Sequence, residues 1–329
     1  MPTPVSALIH AATMVYNSGE NNENIHKNKL NLNPWYVTGY TDGDGSFSIR
    51  LRKSSDSKFG YKIIPVFSIG AQNNPNNTEL LEKVKDFFGG VGWISSSDNM
   101  KHYEVTSLDS LKIIRKHFET YHLETSKHIY FLLWCRVMDL LEKKTHHTLD
   151  GFINVLAIKA VFPKGLSKDV LINYPNIVPI QKPEFLSNTS PLNPNWISGF
   201  VQADGTFGLN YIKSSRSKLG YTCQPQFRVT QHERDLVILK RIITAMGCGN
   251  LINPSGGRDR YDVSVANIKD ITLLIIPFFE KYPIYGAKLL DFQDFCQGIT
   301  IIKNKEHLTQ QGLERLKDLA YNMNTYRKF

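Results

Sequence analysis

One stretch of this chain occurs twice, and it limits the possible folds more than any other feature. Residues 35–47 read Trp-Tyr-Val-Thr-Gly-Tyr-Thr-Asp-Gly-Asp-Gly-Ser-Phe, and residues 196–207 read Trp-Ile-Ser-Gly-Phe-Val-Gln-Ala-Asp-Gly-Thr-Phe. Gly39 answers to Gly199, Asp44 to Asp204, Gly45 to Gly205 and Phe47 to Phe207, all at an offset of 160 residues, from 44 to 204. Asn33-Pro34 and Asn193-Pro194 each place an N-cap residue before a proline at the first helical position. Each copy ends at Asp-Gly, where a glycine in the left-handed conformation would stop a helix. The expectation is two short helices of about ten residues, ~15 Å long, each with a carboxylate at its C-terminal end.

A helix C-terminus carries partial negative charge, so an aspartate there costs roughly 0.3–1 kcal/mol. A fold that does this twice needs something cationic beside the carboxylates. Gly39 and Gly43 are four apart, as are Gly199 and Ala203, so each helix has one face with almost no side chain. Small residues at that spacing let two helices approach closely. Packed side by side, they would bring Asp44 and Asp204 together at one end.

The sequences after the two copies run in parallel. Phe47, Ile49 and Leu51 alternate with Ser46, Ser48, Arg50 and Arg52, which predicts a strand with one buried face. Phe207, Leu209 and Tyr211 alternate with Thr206, Gly208, Asn210 and Ile212 in the same way. Near-identical hairpin tips follow at 53–61 and 213–221, carrying Lys58 at one tip and Lys213 and Lys218 at the other. The return strands are 62–71, with Lys62 and Ser68, and 222–231. In the second return strand Cys223, Pro225, Phe227 and Val229 face inward, while Thr222, Gln224, Gln226 and Arg228 face outward. A merely solvated face favours Lys and Glu, whereas Gln, Asn, Arg and Thr are side chains that read base edges. Helical spacing recurs at 77–88 and 234–246, 108–121 and 268–282, and 127–143 and 288–303, with strands at 103–106 and 261–265 between. The helix at 127–143 interleaves Phe131, Leu132, Trp134 and Leu140 and reads as core packing.

The fold class is therefore α+β: two αββαββα repeats whose antiparallel sheets form a concave saddle around a central helix pair. Residues 31–162 and 193–329 make the two repeat domains. Residues 163–192, rich in Pro, Asn and Ser, make a linker. Residues 1–30 make an N-terminal extension, partly disordered, with neither a secretory nor a transit-peptide pattern. A length of 329 residues suits this division. The net charge of +9 points to an anionic partner. No apolar run approaches the ~18 residues of a membrane span, and the four cysteines show no metal or disulfide spacing.

Val37–Gly45 and Ile197–Gly205, with their matched downstream strands, resemble the paired motif of the LAGLIDADG homing endonucleases in their single-chain, two-repeat form. The resemblance implies a monomer that cuts both strands of a double-stranded DNA site of roughly 20 bp, about one helical turn per repeat. It implies that Asp44 and Asp204 are the metal-binding catalytic acids, helped by the carbonyls of Gly43 and Ala203. Hard oxygen ligands suit Mg²⁺ or another divalent cation, which polarises phosphate and activates water. Gln231 matches the glutamine that supports the active-site water network, while the first repeat has Ala71 there and Gln72 one position late. Lys127 and Lys288 match a family lysine, and also read as surface lysines at helix N-termini. The outward residues Ser46, Ser48, Arg50, Arg52, Lys58, Lys62, Ser68, Thr206, Asn210, Lys213, Lys218, Thr222, Gln224, Gln226 and Arg228 are the DNA-contact candidates.

Asp42 starts a run resembling a calcium loop, but Phe47 stands where the invariant glycine belongs and Lys53 where the glutamate belongs. With Gln202 in the matching place, Asp42 reads as solvent-facing or paired with a neighbour. Families of this kind are encoded in organelle introns, which implies a mitochondrial location. The alternatives are a splicing maturase binding intron RNA and a regulator that binds DNA without cutting it. Retention of both acids favours cleavage.

Overall fold

The computed structural model describes residues 32–253 and 259–329; the expected N-terminal extension lies outside them. The first repeat runs α1 (Pro34–Asp44), β1 (Gly45–Lys53), β2 (Tyr61–Gln72), α2 (Pro75–Phe87), β3 (Trp93–Ser97), β4 (Met100–Val105) and α3 (Leu108–Thr120). Helices α4 (Lys127–Glu142) and α5 (Leu149–Lys159) follow, then a short α6 (Lys168–Asn173) in the connection. The second repeat runs α7 (Pro194–Asp204), β5 (Gly205–Lys213), β6 (Tyr221–His232), α8 (Leu236–Met246), β7 (Asn250–Ile252) and β8 (Arg260–Val265). It closes with α9 (Ile268–Asp270), α10 (Ile276–Lys281), α11 (Gly286–Lys303) and α12 (Gln310–Tyr321). The sheets are antiparallel, in the orders β1-β2-β4-β3 and β5-β6-β8-β7. The two αββαββα repeats are thus present as read.

The phenylalanine after each Asp-Gly pins its strand into an aromatic core. Phe47 packs against Phe67, Phe118, Phe131 and Trp134 at centroid distances of 5.2–5.5 Å. Phe207 does the same with Phe227, Phe279, Phe292 and Phe295 at 5.1–5.5 Å. Edge-on and tilted ring pairs of this kind add ~0.5–1.5 kcal/mol each beyond burial. Each helix end that carries an aspartate is therefore fastened to its own rigid core.

Two expectations change. The helix-ending glycines are not left-handed: Gly45 and Gly205 are extended, at φ −79° and −86°. The strand starts without a reversal, and glycine is needed because a side chain there would collide with Thr41 or Val201 in the last helical turn. The helix expected over 268–282 is interrupted by a π-helical turn, Ile271–Ile275, just before Pro277. Proline lacks the donor and crowds the preceding turn, so the extra residue relieves both. The segment 163–192 is tied to the first repeat at several points while much of it stays exposed. It contains α6, with Val170 buried. Tyr174 Oη donates to the Phe59 carbonyl at 2.8 Å, and Lys182 Nζ donates to Tyr130 Oη at 3.0 Å.

Candidate active site

Helices α1 and α7 pack with their backbones almost touching. A methyl added to Gly39 would fall on the Trp196 carbonyl, and one on Gly199 would fall on the Tyr36 carbonyl. A methyl on Gly43 would overlap the Ala203 side chain and stand 3.1 Å from Asp204 Oδ2. The small-residue faces thus bring Asp44 and Asp204 to the same end of the pair. Asp44 shows one side to solvent and is crowded by protein on the others. Its carboxyl is pushed up to about 7, first by lost solvation and then by the negative Asp204. Asp204 is raised as well, mainly by burial, with Lys127, Gln231, Lys288 and Arg260 opposing the shift.

The cations that the helix ends call for are Lys127 and Lys288. Lys127 Nζ donates to the carbonyls of Thr41, Gly43 and Gly45 at 2.8, 2.9 and 2.5 Å. Lys288 Nζ donates to the carbonyl of Ala203 at 3.4 Å and also to that of Gly205. Both ammonium groups thus cap the negative ends of α1 and α7. Burial lowers both lysines, and Asp44 and Asp204 act to raise them again. The surface-lysine reading is corrected, because helices α4 and α11 point these side chains inward at the paired acids.

Gln231 Nε2 donates to Asp204 Oδ2 at 2.6 Å. Its first-repeat counterpart, Ala71, lies on the core-facing side of an unbroken ladder in which Ala71 pairs with Lys101 and Gln72 with Met100. Without a bulge Gln72 stays on the other face, so no amide replaces Gln231 there. Asp42 is buried, not solvent-facing. It accepts from Glu124 N, Thr125 N and Thr125 Oγ1, and from Trp196 Nε1 of the other repeat at 2.8 Å. Gln202 plays the matching part, accepting from Tyr285 N at 3.0 Å.

The ladder register places the contact candidates on one face of each sheet. Ser46 pairs with Ser68 and Arg52 with Lys62, while Thr206 pairs with Arg228 and Asn210 with Gln224. Ser48, Arg50, Thr222 and Gln226 share these faces, and Lys58 and Lys218 are exposed at the tips. Lys213 is the exception: it pairs with Tyr221 on the opposite face. Several candidates are held by side chains from β4 and β8. Arg50 makes a two-point pair with Glu104 at 3.0 and 3.2 Å, and Gln226 Nε2 donates to Ser264 Oγ at 2.8 Å. Arg228 lies 3.8 Å from Asp262, which accepts from Thr230 at 2.6 Å.

The model of the LAGLIDADG endonuclease family matches residues 37–138 and 197–299, the two repeats. The chain belongs to the LAGLIDADG endonuclease family. "Probable intron-encoded endonuclease 3" of Neurospora crassa is 32% identical over 88% of this LAGLIDADG chain and 54% of its own length. "Probable intron-encoded endonuclease 2" of the same fungus is 32% identical over 89% and 65%. The chain thus spans between half and two thirds of these curated relatives. The LAGLIDADG homing endonuclease I-SmaMI bound to cleaved DNA superposes with a TM-score of 0.85 at 37% identity, covering 90% of this chain and 98% of that one. I-GzeII in complex with its DNA target gives 0.82 at 33% identity, covering 90% and 100%.

Several further residues line the cavity of about 870 Å³ that opens beside Asp204. His232, Arg234 and Arg260 reach it from the second repeat, Lys159 from the first, and Lys164 from the connection between them. Nothing in the local pattern marks them. Arg260 enters only because β8 pairs it with His232 at the end of β6. Among the described residues no helix is long and apolar enough to cross a membrane.

Proposed function

We propose that this chain is a site-specific DNA endonuclease that breaks both strands of a long double-stranded target and acts as a monomer. One observation carries the reading: two carboxylates converge at one end of the helix pair, each backed by a lysine, beside a basic cavity and the polar faces of two sheets. I-SmaMI and I-GzeII, which this chain resembles over nine tenths of its length, are described bound to DNA.

The donor set fits a divalent cation, Mg²⁺ in particular. Asp44 and Asp204 supply hard oxygen ligands, and crowding raises both, so added positive charge stabilises their ionised forms. The carbonyls of Gly43 and Ala203 each accept from one lysine and retain a second lone pair. I-SmaMI bound to uncleaved DNA in the presence of calcium ions is consistent with such a site. When bound, the cation would offset negative charge growing on the phosphate.

The chain's own residues do the remaining work in this reading. Lys127 and Lys288 favour the anionic forms of the acids and neutralise the helix ends. Gln231 fixes one oxygen of Asp204 and leaves the other free. Arg50, Gln226, Arg228 and their neighbours read base edges, while Lys58 and Lys218 hold phosphates. The candidate face spans roughly 20 bp, about one turn per sheet. The RNA-processing alternative is not favoured, because the two acids and two lysines are all retained and the solved relatives hold DNA. Relatives named as intron-encoded, and a mitochondrial protein of Saccharomyces cerevisiae at 23% identity, support a mitochondrial origin.

Incubating the protein with Mg²⁺ and a randomised DNA library, then sequencing the cut ends, tests the proposal. Double-strand ends clustered on one long sequence are expected. Uncut or randomly cut DNA would overturn it.

A further inference from the structure

At neither lysine-bearing helix does the N-cap side chain close the first turn, although Thr125 Oγ1 accepts from Lys127 N at 3.3 Å. At the start of α4, Ser126 makes no side-chain cap to its own helix. Its N–H and hydroxyl instead donate to the two oxygens of Asp235, at 2.7 and 2.9 Å. Asp235 belongs to the second repeat, in the 3-10 turn Glu233–Asp235 that precedes α8. At the start of α11, Tyr285 likewise makes no cap. There Ala287 N donates to Asn77 Oδ1 of the first repeat at 3.0 Å. Asn77 Nδ2 donates to the Gln72 carbonyl at 3.1 Å, which turns Oδ1 toward α11. Asp235 and Asn77 are 5% and 9% exposed, so both bonds are shielded from water.

Each helix start is therefore held by two acceptors of different origin. Asp42 and Gln202 come from the lysine's own repeat and grip the residues just before the helix. Asp235 and Asn77 come from the opposite repeat: Asp235 grips Ser126, the N-cap residue of α4, and Asn77 grips Ala287 in the first turn of α11. Lys127 is the first residue of α4 and Lys288 the third of α11. Loosening either helix start shifts the residue from which the lysine side chain reaches, and so withdraws the ammonium group from the carbonyls it caps.

We propose that Asp235 and Asn77 are positioning residues, each setting the reach of the lysine carried by the other repeat. Lys127 is placed by the second half of the chain and Lys288 by the first. The catalytic meaning of this crossing rests on the endonuclease reading; the placement does not. The carboxylate of Asp235 makes the stronger, charge-assisted bonds, so its removal has the larger effect.

The test needs no DNA in its first arm. Trace acetylation of the full chain with acetic anhydride, read by mass spectrometry, reports how well each lysine is shielded. Asp235→Ala should raise labelling of Lys127 about tenfold, the equivalent of losing one buried charged hydrogen bond, and leave Lys288 unchanged. Asn77→Ala should do the reverse, and Asp235→Asn, which keeps one of the two acceptor oxygens, should fall between wild type and Asp235→Ala. In the second arm, strand-specific cutting rates on a doubly end-labelled target should fall on one strand for Asp235→Ala and on the other for Asn77→Ala. Labelling that rises at both lysines in each variant, or at neither, would overturn the proposal. Reciprocal labelling in a wild-type protein that cuts no DNA would uphold the placement and overturn the endonuclease reading.

Discussion

Gln231 and Asp204 are joined by a 2.6 Å hydrogen bond that has no counterpart in the first repeat. Ala71 fills the matching strand position, and the unbulged ladder keeps Gln72 on the other face. One acid has an amide to fix its oxygen and the other does not. The two strands should therefore be cut at rates differing by about tenfold, the equivalent of one hydrogen bond to a charged group. A nicked intermediate should accumulate, and Gln231→Ala should shrink the difference. Rates measured separately on a doubly end-labelled target decide this; equal wild-type rates would deny the asymmetry any catalytic role.

Asp44→Asn and Asp204→Asn each remove a carboxylate without altering the sheet faces. Double-strand cleavage should fall by at least about a hundredfold, while affinity for the target stays within about threefold. Cleavage assays and binding isotherms run side by side check both halves. A variant cutting both strands at the wild-type rate would remove that residue from the site.

The raised carboxyl of Asp44 makes a stability prediction with a definite sign. Its folded value of about 7 exceeds the ordinary 3.8, so the folded state holds the proton more tightly. That contribution is complete below pH 3.8 and is lost as pH rises through about 7. Without divalent cation, Tm of Asp44→Asn should match wild type near about pH 4 and exceed it near about pH 8. The shared Asp42, raised to about 6, cancels in this comparison. Added Mg²⁺ at the higher pH should raise the wild-type Tm more than the variant's. Parallel Tm curves across the range would mean that Asp44 is not perturbed.

Arg228→Ala and Gln226→Ala should relax base preference at particular positions, each by ~1–3 kcal/mol of discrimination. Lys58→Ala and Lys218→Ala should weaken binding evenly over sequences and lower the salt dependence by about one counterion each. Competition binding against a panel of single-base variants at two salt concentrations separates these effects. The opposite pattern would mean that DNA runs along another face.

Gly39→Ala and Gly199→Ala insert a methyl against backbone carbonyls of the facing helix, where no rotamer change can give way. Overpacking of ~3 kcal/mol or more is expected, at the upper end of its usual range. Urea unfolding of the two variants measures it, and a change under about 1 kcal/mol would show that the helices can separate cheaply.

What could be read from the sequence was whatever depends on spacing within one element. The Gly39 and Gly43 face, the acids at 44 and 204 and the alternation through Phe47 and Phe207 are of this kind, and duplication confirmed each. The role of Lys127 was not readable, because its carbonyl partners lie more than eighty residues earlier and its reach depends on how α4 is held. Glu104 carries no local signal for a similar reason: only the pairing of β4 with β2 brings it to the face of Arg50. The Asp-Gly at 44–45 misled because glycine serves two needs, a left-handed stop and a close approach, and the local sequence is the same for both. Asp42 was undecided until Trp196 from the other repeat closed over it.

That indole contact runs one way only. Trp196 donates to Asp42, but the residue matching Trp196 in the first repeat is Tyr36, which stacks edge-on against Tyr285 at 5.0 Å. Two copies of the first half would bury a pair of carboxylates with no indole to meet them, and two copies of the second would oppose indoles to the amide of Gln202. The contact therefore distinguishes self from non-self. Severed between its halves, the chain would rejoin as an unlike couple in preference to two like ones. The tether supplies proximity, and the choice of mate is written in the helix pair.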